Sequence, residues 1–199
     1  MKPKQFVQLM LITSVMILAS IPGVRGDDTQ FPDGWLGGAS IGNEYELVID
    51  NGVFHEGNSS ALIKSKVENP KGFGSFTQCF MADEFLGKRL RLTAFVKTEN
   101  AITGAGLWMR VDSHDSTLSF DNMKNRRIIG SIDWTKYHIV LDVPDGATMI
   151  CFGMLLTGTG QAWVDDFDFT EVDSSVPTTE AAKADLPTKP INLGFEKND

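Results

Sequence analysis

From residue 44 to residue 172 the chain alternates apolar and polar side chains with a period of two, in short runs broken by turn residues. Glu44–Asp50, Ser60–Lys66, Gly74–Met81, Arg89–Thr98, Gly106–Ser113, Lys136–Val143, Thr148–Leu156 and Gln161–Val172 all read as strands. Asn51-Gly52, Glu56-Gly57-Asn58, Pro70-Lys71-Gly72, Pro144-Asp145-Gly146 and Gly158–Gly160 supply the turns between them. No stretch carries a long helical stripe, and Phe85-Leu86-Gly87 closes at most one helical turn. Many short strands at this spacing predict an all-β chain, folded as an antiparallel β-sandwich or barrel.

The N-terminus reads as an address. Lys2 and Lys4 precede an apolar run from Phe6 to Ile21, followed by Pro22 and Val24-Arg25-Gly26. A basic start, a short apolar stretch and small residues at a cut point describe a secretory signal peptide over residues 1–26, cleaved before Asp27. The alternative is an uncleaved anchor helix, which needs about 20 apolar residues, more than this run supplies. Cleavage implies a secreted, periplasmic or cell-surface protein. It would remove three cations and no acid, leaving 15 basic and 26 acidic residues. That balance argues against nucleic acid, whose phosphates it would repel. No apolar stretch after residue 26 is long enough to cross a membrane.

Cys79 and Cys151 are the two cysteines, each inside an apolar strand-like run. In an oxidising compartment they can pair. Two free thiols filling core space are the preferred reading, because nothing in the sequence makes the two strands neighbours.

Trp163-Val164-Asp165-Asp166-Phe167-Asp168-Phe169 follows a glycine turn and sets an acidic pair in mid-strand. Acidic side chains disfavour strands, so the pair calls for a cation or a hydrogen-bond network. This strand resembles the last strand of galactose-binding-like jelly rolls, the sandwiches that include many carbohydrate-binding modules. Gly87–Thr98, Gly106–Asp112 and Phe120-Asp121-Asn122-Met123 extend the resemblance over Phe31–Glu196, to a bacterial subgroup found alone or appended to transcriptional regulators and peptidases. The resemblance implies a galactose-binding-like jelly roll over residues 27–172. It implies fold more firmly than activity.

After Val172 the composition turns to Ser, Thr, Ala and Pro, and residues 173–187 read as an exposed linker. Residues 188–199 are apolar again at Ile191, Leu193 and Phe195. In the jelly rolls this chain resembles, a segment of this form is the first strand, so a C-terminal strand docking on the sandwich is expected. Many such jelly rolls hold a structural calcium through last-strand and first-strand acids. By that resemblance Asp165, Asp166 and Glu196 are the candidate ligands of a Ca2+ ion.

Catalytic signatures are thin. Gly38-Ala39-Ser40-Ile41-Gly42 fits a nucleophile elbow in letters, but a Gly-rich loop precedes it and a strand follows where a helix is required. His55, His114 and His138 have no zinc-site spacing. The chain is therefore expected to be no enzyme. Alternation along Leu107–Asp112 sends Leu107, Met109 and Val111 inward and Trp108, Arg110 and Asp112 outward. An indole, a guanidinium and a carboxylate side by side suit a sugar, with Asp121, Asn122, Arg126 and Trp134 as its rim. The competing reading has Arg110 stack on Trp108 and pair with Asp112 to stabilise the sheet. The expected function is a non-catalytic module for carbohydrate or cell-envelope glycan, with a protein-interaction domain as the alternative.

Overall fold

The computed structural model describes residues 31–180 and residue 193. The expected signal peptide, its cleavage point, Glu196 and most of the expected C-terminal strand lie outside the described residues. Leu193 is described, and it stands exposed.

The strands are β1 (Trp35–Ala39), β2 (Tyr45–Asp50), β3 (Ser60–Ser65), β4 (Phe73–Met81), β5 (Arg89–Asp112), β6 (Thr117–Asp121), β7 (Ile128–Asp142), β8 (Met149–Thr157) and β9 (Gln161–Val172). One 3-10 turn, Asp83–Phe85, is the helical structure among the described residues. All pairings are antiparallel. Neighbours run β1-β4-β8-β5-β9-β3-β2, with β6 and β7 also on β5.

β5 belongs to both layers. Its residues 104–112 pair with β8, and its residues 89–99 pair with β9. One layer is therefore β1-β4-β8-β5-β6 and the other β2-β3-β9-β5-β7. The register shifts against β7 between Val96 and Ala105, where the strand turns the corner. Inward positions change parity there. Leu90, Leu92, Ala94 and Val96 fill the core before the corner, and Leu107, Met109 and Val111 after it, all fully buried. Burying so many branched and sulfur-containing side chains between two layers is the main stabilising term, about 25 cal/mol per Å² of apolar surface.

β9 makes a second parity change. Ala162 and Val164 point inward, then Phe167 and Phe169. The extra residue is Asp166, at φ 51°, beside a register shift between Thr93 and Phe95. Phe167 and Phe169 then pack on Phe152, with centroids 5.4 and 4.8 Å away, and Trp35 and Phe80 complete this aromatic end of the core. The acidic pair in mid-strand thus marks a β-bulge.

Residues 173–180, within the stretch read as linker, lie against β7. Thr179 N donates to Val140 O at 2.9 Å, and Val140 N donates to Thr179 Oγ1 at 2.8 Å. Arg89, held by Asp142, donates to the carbonyls of Ser174 and Val176 at 2.6 Å each.

Candidate ligand-binding face

Trp108, Arg110 and Asp112 lie on the outer side of the first layer, opposite the buried Leu107, Met109 and Val111. Trp108 Nε1 donates to Ser75 Oγ on β4, 3.0 Å away, across the intervening strand β8. To reach that far the indole must lie along the sheet rather than stand off it. Gly153, its register partner on β8, leaves the room: a Cβ there would come within 1.9 Å of the Phe76 carbonyl oxygen and 3.2 Å of Trp108 Nε1. The partly buried ring is a flat apolar shelf of the sort that sugar C–H faces stack on.

One row along, Arg110 faces Cys151 on β8 and Phe120 on β6. Arg110 Nε donates to Asp112 Oδ2 at 2.7 Å, and Thr117 Oγ1 donates to Asp112 Oδ1 at 2.8 Å. Asp112 is nearly buried, with its side chain 10% exposed, whereas Arg110 keeps 34%. The ion pair of the competing reading is present. Among the described residues no cation lies over the Trp108 ring; the cation on an aromatic face is Lys136 over Phe95, at 5.5 Å.

The cysteines overturn the preference for free thiols. Cys79 and Cys151 are direct partners across β4 and β8, and they are joined in a disulfide. The adjacency of those strands is a fact of topology, invisible in the local sequence. The bond sits in the same transverse row as Arg110 and Phe120, with Cys79 exposed and Cys151 buried. Leu36, Phe73, Met81 and Phe120 stand exposed around this face.

The expected rim divides. The loop after β6 folds over the end of the face at Gly106, where a Cβ would meet Met123 Cβ at 3.1 Å and the Asn122 carbonyl oxygen at 3.4 Å. Asn122 is thus at the edge, its Oδ1 accepting from Lys124 N. Arg126 turns away from Trp108. It grips the buried Asp121 through two bonds, of 3.0 and 2.6 Å, and reaches the His138 carbonyl on β7. Its neighbour Arg127 donates to Thr157 Oγ1, 2.7 Å away on β8, and so lies at the face. Trp134 belongs to the second layer, 5.8 Å from the His55 ring. Sequence reasoning missed Ser75, Gly153, Phe120 and Arg127, whose places depend on register.

Asp165 and Asp166 pin the loop between β2 and β3. Asp165 Oδ2 accepts from His55 N at 2.9 Å and Glu56 N at 3.3 Å, and its Oδ1 from Asp166 N. His55 Nδ1 lies 2.7 Å from Asp166 Oδ2, and its ring stacks on Phe95 at 3.6 Å. Calcium takes six to eight oxygens. The described residues bring two carboxylates here, already receiving N–H donors, and among them no group of three or more His, Cys, Asp or Glu could hold a metal ion.

Ser40 also has a structural role. Strand β1, and not a loop, precedes it, and β2 follows without a helix. Its Oγ accepts from Phe73 N at 2.8 Å, which ties β1 to β4. A cavity of about 290 Å³ opens between the layers, lined by Trp35, Ile49, Ala61, Phe76, Val164 and Phe167. No described helix is long and apolar enough to cross a membrane.

The fold is similar to parts of two larger proteins of known structure. Tailspike protein 4 of bacteriophage CBA120, in its enzymatically active domain, matches 75% of this chain and 21% of its own, at 15% identity and a TM-score of 0.54. The arabinose-bound α-L-arabinofuranosidase MgGH51 matches 75% of this chain and 25% of its own, at 13% identity and a TM-score of 0.51. The fold is an antiparallel β-sandwich of the jelly-roll kind. No protein-family profile matches the chain. In sequence it is similar to YbfP of Bacillus subtilis (strain 168), described as an uncharacterized HTH-type transcriptional regulator, with 46% identity over 167 residues. The match covers 82% of this chain and 57% of that protein, so the chain spans little more than half the length of this relative.

Proposed function

We propose that this jelly roll is a non-catalytic carbohydrate-binding module whose ligand lies on the outer face of β4, β8, β5 and β6. The observation that carries the proposal is the indole of Trp108, laid along the sheet over Gly153 with Arg110 beside it. A flat ring and an oriented polar group on an otherwise apolar wall form the usual chemistry of a sugar subsite. The fold's occurrence within an arabinofuranosidase supports the reading. Export is part of the proposal, and the Cys79–Cys151 bond supports it, since such bonds persist in oxidising compartments. N-terminal sequencing of exported protein should begin at Asp27.

The test is affinity electrophoresis through gels containing soluble plant and envelope polysaccharides, beside a melting curve. Trp108→Ala should weaken retardation about tenfold or more, as expected when one stacking wall is lost, while Trp108→Phe keeps most of it. A folded wild-type protein that retains no glycan yet captures a protein partner would replace this reading with an interaction domain.

A second reading rests on the regulator. No helix–turn–helix occurs among the described residues, so the portion shared with YbfP need not be the part that reads DNA. In such a context the same face would sense a soluble saccharide and relay its presence.

A further inference from the structure

We infer that the sugar taken by this face carries a carboxylate, as a uronic acid residue does; the inference rests on the proposed glycan-binding function. The argument begins with what the face lacks. Outward positions are Phe73, Ser75, Thr77, Cys79 and Met81 on β4, with Met149, Cys151, Gly153, Leu155 and Thr157 on β8. On β5 they are Gly104, Gly106, Trp108, Arg110 and Asp112. Those strands thus carry two ionisable side chains on this side, in a chain with 26 acidic and 18 basic residues. The two are bonded to each other.

The pairing leaves the face with free guanidinium donors and no free carboxylate. Asp112 is nearly buried, and each of its oxygens already accepts a hydrogen bond, from Arg110 and from Thr117. The single proton of the Ser75 hydroxyl is taken up by the Phe76 and Met154 carbonyls, each 3.0 Å away, and its oxygen accepts from Trp108. Arg110 is fixed by Nε alone, and among the described residues its two terminal nitrogens have no partner. A guanidinium held by one edge presents its other donors as a planar fork, the geometry that receives a carboxylate bidentately. Arg127 adds a second cation at the Thr157 end of the face. A neutral sugar needs acceptors for its hydroxyl protons as well as donors. A uronate stacked on Trp108 gives its ring to the indole and its carboxylate to Arg110, and so uses what this face offers.

The experiment compares wild-type protein in gels containing polygalacturonate, alginate, methyl-esterified polygalacturonate, xylan or β-galactan. Esterification removes the charge and keeps the sugar, so the comparison needs no variant. At least one acidic polymer should retard the protein, and for polygalacturonate the ester should bind about tenfold more weakly, the scale of one charge-assisted contact. Arg110→Gln should bind acid and ester alike, and Arg110→Lys should recover part of the difference. Equal affinity for acid and ester, or retardation by xylan or galactan alone, would overturn the uronate inference and leave the binding module standing. Retardation by none of the polymers would remove both.

Discussion

At the scale of single residues, buried polar groups here are placed by their partners. Trp163 Nε1 donates to Asp50 Oδ2 at 2.8 Å, and Gly52 and Val53 donate their amides to Asp50 Oδ1. The indole bond first, then those amides, holds the Asp50 carboxyl below the usual aspartate range. A depressed folded pKa means that the stabilisation is complete above the unfolded value and is lost as pH falls through the folded one. Melting temperature should therefore fall below about pH 4. Asp50→Asn should make that limb shallower, the rest of it belonging to Asp133, Asp142 and Asp173, whose carboxyls are also held low; melting curves between pH 2 and 6 taken at intervals of about half a unit read the difference. Gly153→Ala should cost about 3 kcal/mol in urea unfolding, because the new carbon meets a backbone carbonyl that cannot turn aside. An unchanged unfolding free energy would mean that the β4 backbone can move away from residue 153 at no cost.

At the scale of elements, the eight expected runs all fall in strands, two of them within β5, since alternation reports directly on a sheet with one face in the core. What the sequence hid has local causes. Trp35-Leu36-Gly37-Gly38-Ala39 has no alternation to read, and Thr117–Asp121 is five residues set in polar loop. Lys97–Gly104 breaks the period, so one strand reads as two. For the site, parity alone placed Trp108, Arg110 and Asp112 together. Sequence order puts Arg126 and Trp134 on the same rim, but register sends one to Asp121 and the other to the second layer. The bulge in β9 admits a direct test. Asp165→Ala frees the amides of His55 and Glu56 and should cost about 1–2 kcal/mol. If the network acts without a cation, chelator leaves the wild-type melt unchanged. A chelator-sensitive melt that vanishes in Asp165→Ala would instead establish calcium at this strand.

At the scale of the whole molecule, the two layers are held together by the core and by β5, and the disulfide ties β4 to β8 within the first layer. The Cys79–Cys151 link closes a loop of 72 residues in the unfolded chain, worth about 4 kcal/mol on the loop-entropy view. Reductant, or Cys79→Ala, should lower the melting temperature clearly and leave the circular dichroism of the folded state intact. An unchanged melt would show that the reduced chain is restrained in some other way.

The switch of inward positions along β5, from even numbers to odd, makes this strand behave like a text with one tolerant passage. An extra residue inserted among residues 97–105 falls where the ladder is already irregular, and it can be swallowed as more slack. The same insertion directly after Leu107 would shift the frame by one, turning Trp108 and Arg110 toward the core and Met109 toward solvent. Length variation in this fold should accordingly collect at the corner, and the binding face should admit exchanges of letters but no change in their number.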